Sequence, residues 1–410
     1  LPLAQVNCAN CGQCTIVCPV GALEGTDATE IVWQALHDPN VRVVMQCAPA
    51  IRVAIGELFD YPVGTRVTGK LAAAMKALGA DDVFDTNWAA DLTILEEGTE
   101  LLHRLLKSLE GQPAAFPMIT SCSPGWIKFV EHQYPHLLDH LSSCKSPHMM
   151  LGALSKSYYA EKLGINPKKI FVVSVMPCTA KKFEITREEM IHDGLKDVDA
   201  VLTTRELGRM IRQAGIDFRQ LKDIPFDQPM GFSTGAADIF GVTGGVMEAA
   251  LRTVYTVLSG RPLPFAKLHV ESIRGMDEVK EATLVLQDLL PQYHALEGAH
   301  VKVVVTSGLH GARVLMDQIQ AGNSPYLFME VMGCPGGCIT GGGQPRSHDP
   351  EVRSKRMKAL YEEDESKVLR ESHANPSIDA LYREYLGEPC GERSHHLLHT
   401  HYIKRAPIIP

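Results

Sequence analysis

The sequence predicts an α/β fold, and three observations carry that expectation. Short β-branched apolar runs recur along the chain, amphipathic stretches separate them, and 410 residues with 45% hydrophobic content suffice to bury a large core. By size alone the chain divides into two or three folded units.

Residues 1–25 form a short, cysteine-dense segment, with a boundary near Thr26. Beyond it, apolar runs at 41–45, 82–84, 116–120, 170–175, 200–204, 301–306 and 326–331 read as strands. They are continuous rather than alternating, as strands covered on both faces are. Between them, stretches at 69–78, 97–109, 151–163, 204–214 and 243–258 place apolar residues at three- and four-residue steps, the period of a helix. Strand then helix, repeated, means α/β layering. Past the glycines at 341–343 the pattern turns charged and helical over 351–386 and ends in His395, His396, His399 and His401. With no strand pattern of its own, 346–410 is expected to wrap the domain of 26–345 as a helical appendage.

A formal charge of −8, spread without long runs of one sign, gives no footprint for nucleic acid or an anionic membrane. No apolar run approaches the roughly 20 residues that span a bilayer, and the N-terminus lacks the order of a secretory signal. The chain therefore reads as soluble, with the cytoplasm as the expected location. It starts at Leu1 a few residues before a dense cysteine motif, so further chain is expected upstream.

The 11 cysteines are unevenly placed, and the crowding points to metal rather than to a disulfide framework, which belongs mainly to small secreted domains. Cys8, Cys11, Cys14 and Cys18 stand as C-x2-C-x2-C-x3-C followed by Pro19, the ferredoxin-like spacing for a cubane 4Fe-4S cluster. A zinc knuckle spaces its cysteine pairs more widely. In two-cluster ferredoxins the fourth cysteine of such a run ligates the other cluster. Cys8, Cys11 and Cys14 are accordingly expected to share one cluster, with Cys18 serving a second, and both would need ligands from upstream. This motif says electron transfer and leaves the reaction open.

Three further stretches are more specific: 120–126 (TSCSPGW), 176–182 (MPCTAKK) and 330–345 (EVMGCPGGCITGGGQP). In this order they closely resemble the signature motifs of the FeFe (iron-only) hydrogenases. The likeness extends to APAIR at 48–52, VTGG at 242–245 and the C-terminal helices, and so covers essentially the whole chain. The resemblance implies two α/β lobes around an H-cluster. That cofactor is a 4Fe-4S cubane joined through one cysteine sulfur to a two-iron centre bearing carbon monoxide, cyanide and a bridging dithiolate amine, and maturation proteins must supply it. By motif, Cys178, Cys334 and Cys338 would be cubane ligands, Cys338 also bridging to the two-iron unit. Lys181 would donate a hydrogen bond to a cyanide nitrogen. Met176, Met332 and Pro147 would wall the site, and Ala48, Pro49 and Ala50 would line the dithiolate. Glycines around Cys334 and Cys338 would aim amides at the cluster sulfurs.

In one place the sequence departs from the family. Most members carry two adjacent cysteines in the first motif, the first a proton-relay thiol and the second a cubane ligand, where this chain has Cys122 and Ser123. Either Ser123 ligates through oxygen, a harder and weaker partner for iron, or Cys122 takes over ligation and the relay loses its thiol. Register favours the first reading, ligand chemistry the second.

The resemblance also implies a proton relay through Cys122, Glu97, Ser142, Glu100 and Arg104. Glu97, Glu100 and Arg104 fall at i, i+3 and i+7, on one face of a helix, where burial would raise a carboxyl toward neutrality and make it a usable shuttle. The implied reaction is reversible H2 oxidation and proton reduction. Its electrons would pass through 4Fe-4S clusters to ferredoxin or to NAD(P)-linked diaphorase subunits, the latter favoured by the serine at 123. Rival readings are an H2 sensor, a non-catalytic hydrogenase-like iron-sulfur assembly protein, and a ferredoxin or zinc module on an unrelated α/β domain. The second typically lacks the lysine and the glycine run that this chain keeps at Lys181 and 341–343. The histidines of the tail are expected to be structural.

Overall fold

The computed structural model describes residues 6–261, 263 and 278–405, so the outermost residues of the expected N- and C-terminal segments lie outside it. Ten strands are described: β1 (Arg42–Cys47), β2 (Asp82–Asp85), β3 (Met118–Ile119), β4 (Ile170–Met176), β5 (Ile191–His192), β6 (Leu195–Lys196), β7 (Ala200–Thr203), β8 (Val279–Val285), β9 (His300–Ser307) and β10 (Phe328–Met332).

One sheet has the order β2-β1-β4-β7 and is parallel throughout, with Val44 beside Asp82 and Val172 and Val173 beside Ala200. The other has the order β3-β10-β9-β8 and is parallel except for β8, which runs antiparallel along β9. β5 and β6 make a small separate hairpin. The two sheets are the two lobes that the motifs implied. Their central strands are buried along nearly their whole length, as parallel strands covered by helices must be.

The helix Asn87–Leu109 holds the lobes together. Trp88, Ala89 and Leu92 enter the core of the first lobe, whereas Ala90, Ile94 and Leu101 enter that of the second. Its N-terminal half is thus apolar on opposite faces, and the helical period becomes visible in the sequence only toward its outer half.

The C-terminal segment wraps as expected, but in pieces. Helix Val352–Ser366 lays Ala359, Leu360 and Tyr361 on Ala50, Val53, Ile239, Val242 and Ile339, with Arg356 clamped to Glu57 at 2.6 Å. Residues 367–375 then break the helical run predicted over 351–386. The breaking stretch is held by buried Asp91, which accepts from Thr234, Ser372 and Asn375. Ile378, Leu381, Leu386, Leu397 and Leu398 return the chain to the core of the first lobe.

Candidate active site

Functional side chains of parallel sheets collect beyond the carboxyl ends of the strands. Here two sheets present such ends to each other. Residues in or following β1, β3, β4 and β10 line a shared cavity of about 80 Å3. From β1 come Ala48 and Pro49; from β3, Cys122 and Ser123; from β4, Met176, Cys178 and Lys181; from β10, Met332, Cys334 and Cys338. Pro147 completes the predicted wall. Ala50 does not: it packs on the opposite side against Val53 and Ile239, and its carbonyl accepts from Gln344 Nε2 at 3.0 Å. The short helical turn Pro49–Ile51 rotates it away from Ala48, which the sequence could not show.

The sulfurs share one electrostatic environment. Burial raises Cys334 well above the ordinary thiol range, and Cys178, Cys11 and Cys338 push it further. Burial and Cys178 lift Cys338 to about 12, while Lys181 opposes them. Thiols so placed hold a proton until a cation replaces it, and soft sulfur donors select iron or other thiophilic metals. The donor set therefore fits an iron-sulfur cofactor, with Cys178, Cys334 and Cys338 as soft ligands and a wall of methionine, proline and alanine that keeps water out.

Cys122 and Ser123 point to different surroundings. The Cys122 thiol is raised well above its usual range by burial and then by Glu97, and it packs against the core of the second lobe. Ser123 Oγ accepts from the amide of Gly333 at 3.1 Å, beside Cys334.

Glu97 is buried and pushed up to about 8, by desolvation first and then by Glu100, with Ser142 and Ser121 hydrogen bonds opposing. Ser142 donates to Glu100 Oε2 at 2.8 Å, and Glu100 Oε1 meets Arg104 at 2.7 Å. Arg104 is half-buried and bonds the carbonyls of Asp139 and Leu141. Glu97, Ser142, Glu100 and Arg104 thus lie in succession, each next to the one before.

Lys181 has company that the motifs did not announce. Its ammonium donates to the Cys122 carbonyl at 3.0 Å and pairs with Glu184 at 2.8 Å. Glu184 also meets His148 Nε2 at 2.7 Å, and the Lys181 ammonium with the hydrogen bond to His148 holds its carboxyl down at about 2 against burial. His148, itself a cavity residue, is pushed down to about 4 by burial and by Lys181. Glu330, pushed up to about 7 by burial, accepts from the amides of Gly244 and Met247. Glu330 opens the third motif and Glu184 lies three residues after Lys181 on one helix, whereas nothing marked His148.

The N-terminal cysteine loop docks on the same face. Thr179 Oγ1 donates to the Asn10 carbonyl at 2.7 Å, and Gln13 Nε2 to that of Thr340 at 2.9 Å. Contact is close because Gly12, at φ 73°, faces Gly342, where a Cβ would lie 2.3 Å from the Cys11 carbonyl. Cys11 is raised by burial and by Cys8 and Cys14, so these three thiols share one environment. Cys18 sits apart, lowered chiefly by the main chain of Leu23.

Fold and site together define an iron-sulfur oxidoreductase whose cofactor lies between two α/β lobes. Residues 41–342 match the family described as iron only hydrogenase large subunit, C-terminal domain, and residues 350–405 match iron hydrogenase small subunit. The chain is 52% identical over 405 residues to the NADP-reducing hydrogenase subunit HndD of Solidesulfovibrio fructosivorans, covering 98% of this chain and 67% of that protein. It is 42% identical over 391 residues to iron hydrogenase 1 of Clostridium pasteurianum, covering 94% and 65% respectively. It thus spans about two thirds of the length of these relatives. The structure of apo [FeFe]-hydrogenase HydA1 from Chlamydomonas reinhardtii superimposes with a TM-score of 0.82 at 45% identity, covering 92% of this chain and 99% of that one. Matches to cytosolic iron-sulfur assembly proteins are 29–30% identical.

The chain belongs to the iron-only hydrogenases. It is the H-cluster-bearing part of such an enzyme, an oxidoreductase acting on H2, and the assembly-protein reading is disfavoured. Among the described residues no helix is long and apolar enough to cross a membrane.

Proposed function

We propose that this chain catalyses reversible H2 oxidation within a multisubunit, pyridine-nucleotide-linked hydrogenase. The reading is carried by one observation: three cysteines from two sheets meet at one apolar cavity that is also lined by Cys122, the thiol on which Glu97 acts. When bound, the H-cluster supplies redox-active iron and a basic amine at which H2 is split or formed. Cys178, Cys334 and Cys338 would hold it, Cys338 at the junction of its two parts.

Ser123 takes the remaining ligand position and Cys122 the relay position. Support comes from Ser123 Oγ lying beside Gly333 and from the burial of Cys122 toward Glu97. Protons pass between the Cys122 thiol and Glu97, across the Ser142 hydroxyl to Glu100, and out past Arg104. Glu97 suits the task because a carboxyl near 8 both gains and loses a proton around neutral pH. Lys181, steadied by Glu184, offers its ammonium to a cyanide. Cys8, Cys11 and Cys14 hold the cluster that exchanges electrons with the site, and Cys18 serves a second.

NADP reduction is stated for the relative with 52% identity, and transfer to this chain is tested by reconstitution. H2-dependent reduction of NAD(P) is expected only when the co-purifying partner subunits are present. Full-rate turnover of the isolated chain with ferredoxin, and none with the partners, would assign ferredoxin instead.

A further inference from the structure

At the outer end of the carboxylate path the fold assembles a second donor cluster, and it uses the histidine-rich tail. A carboxylate oxygen of Glu100, the Cys144 sulfur and a ring nitrogen of His399 all lie within 4.8 Å of one another. They come from three separate stretches: the inter-lobe helix, the loop before the helix Pro147–Leu154, and the residue that closes the helix Glu392–Leu398. A backbone bridge between Cys144 and His399 fixes two of them together.

Glu100 divides its oxygens. Oε1 keeps Arg104 at 2.7 Å, whereas Oε2 accepts from the Ser142 hydroxyl at 2.8 Å and the Ser143 amide at 3.0 Å and faces Cys144 Sγ at 3.9 Å. His399 is held in the same way as histidines that bind metals, with a carboxylate behind the ring: its Nε2 lies 3.0 Å from Glu96 Oε2. Nδ1, now on the Ser143 hydroxyl at 2.8 Å, is the nitrogen left to face the cluster. The surroundings are acidic, for Glu96, Glu97 and Glu100 all act on the Cys144 thiol. His395 stacks flat on His399 at 4.4 Å and is exposed, so the cluster lies one ring below the surface on that side.

We propose that Glu100, Cys144 and His399 form a binding site for a borderline-soft divalent ion such as zinc. One sulfur, one imidazole and one carboxylate make a three-residue zinc set that leaves a fourth position for water, whereas magnesium and calcium take oxygen donors. Zinc bonds of roughly 2.0–2.3 Å place tetrahedral donors on the order of 3.5 Å apart. The 4.8 Å limit on the present spacing then needs up to about 1.3 Å of closure. On binding, the Cys144 S–H bond breaks, its proton leaves to solvent, a Zn–S bond forms, and no electron is transferred.

A neighbouring set, Glu96, Cys390 and His399, meets the same distance limit. There Glu96 accepts from Tyr382, Ser394 and the Cys390 amide and meets His399, and the Cys390→Ala variant below separates the two sets. Occupation of the Glu100 site withdraws a carboxylate oxygen from the proton path. That kinetic consequence rests on the relay reading above, but the binding itself does not.

The test adds chelator-buffered zinc to anaerobic holoenzyme and records zinc-edge X-ray absorption alongside the carbonyl and cyanide infrared bands. Expected is a bound zinc with one sulfur and nitrogen or oxygen neighbours, infrared bands unchanged, lost in Cys144→Ala, weakened at least tenfold in Cys144→Ser and kept in Cys390→Ala. Equal binding by wild type and Cys144→Ala, or a loss confined to Cys390→Ala, overturns the site. Turnover should slow several-fold with zinc and recover with chelator. Zinc bound as described with turnover unaffected leaves the site standing and removes Glu100 from the relay.

Discussion

Replacing Glu97 by glutamine keeps the side chain's shape and removes its exchangeable acid proton. Function and stability should then move in opposite directions. With its carboxyl near 8, Glu97 is about nine-tenths protonated at pH 7, ready to donate and, once ionised, to accept. Losing a positioned proton carrier costs typically 10²–10⁴-fold, so H2 turnover should fall by about that factor. The carbonyl and cyanide infrared bands should persist, because Glu97 holds no iron.

Stability follows from linkage. A carboxyl raised from 4.5 to about 8 binds more protons folded than unfolded between those values, so its contribution is present below 4.5 and is lost as pH rises through 8. A gap of that size corresponds to up to ~5 kcal/mol of pH-dependent stability at this one fully buried site. Glutamine has no such dependence. The variant should match wild type at pH 5 and exceed it by a few degrees in Tm at pH 9. Glu330, raised to about 7, leaves a residual slope of the same sign. Turnover within threefold of wild type would remove Glu97 from the relay. A wild-type pH slope of Tm in the variant would show that its carboxyl is not held protonated by burial.

Ser123→Cys supplies a thiolate where a serine oxygen now stands beside Gly333, and should slow iron loss from the cubane to a chelator by at least tenfold. An unchanged rate would place the fourth ligand elsewhere. Gly342→Ala drives a Cβ to 2.3 Å from the Cys11 carbonyl and should displace the N-terminal loop. The expected readout is loss of electron transfer to the external acceptor, with the infrared bands of the site retained. Glu184→Gln breaks the buried pairing with Lys181 and His148 and should cost about 3–5 kcal/mol in denaturant unfolding. Its pH signature is opposite to that of Glu97: a carboxyl held at about 2 contributes stability that is full above 4.5 and fades as pH falls through 2, and the variant should lack that acid limb.

The cysteine motifs were legible because a cluster demands particular donors at particular spacings, and loops after β3, β4 and β10 deliver them to one cavity. Central strands were legible because they are buried on both faces. The inter-lobe helix was caught only from 97 onward, since Asn87–Ile94 is buried all round and shows no polar stripe. β8 went unseen because this edge strand alternates buried and exposed positions and carries two adjacent charges, Lys280 and Glu281, near its start. The run at 116–120 shrank to Met118–Ile119, as Pro117 has no amide to give a ladder. His148 reaches the cavity through tertiary packing, and no local pattern marks such a residue. The same holds for Cys144 and His399, which lie far apart in the chain and meet only in the fold.

Infrared spectroscopy of the matured protein tests the central claim most directly, because iron-bound carbonyl and cyanide absorb where polypeptide does not. The account predicts those bands in the wild type, their loss in Cys338→Ala, and their persistence in Glu97→Gln. A matured, iron-replete protein that turns over H2 without such bands, or keeps them unchanged in Cys338→Ala, would contradict it.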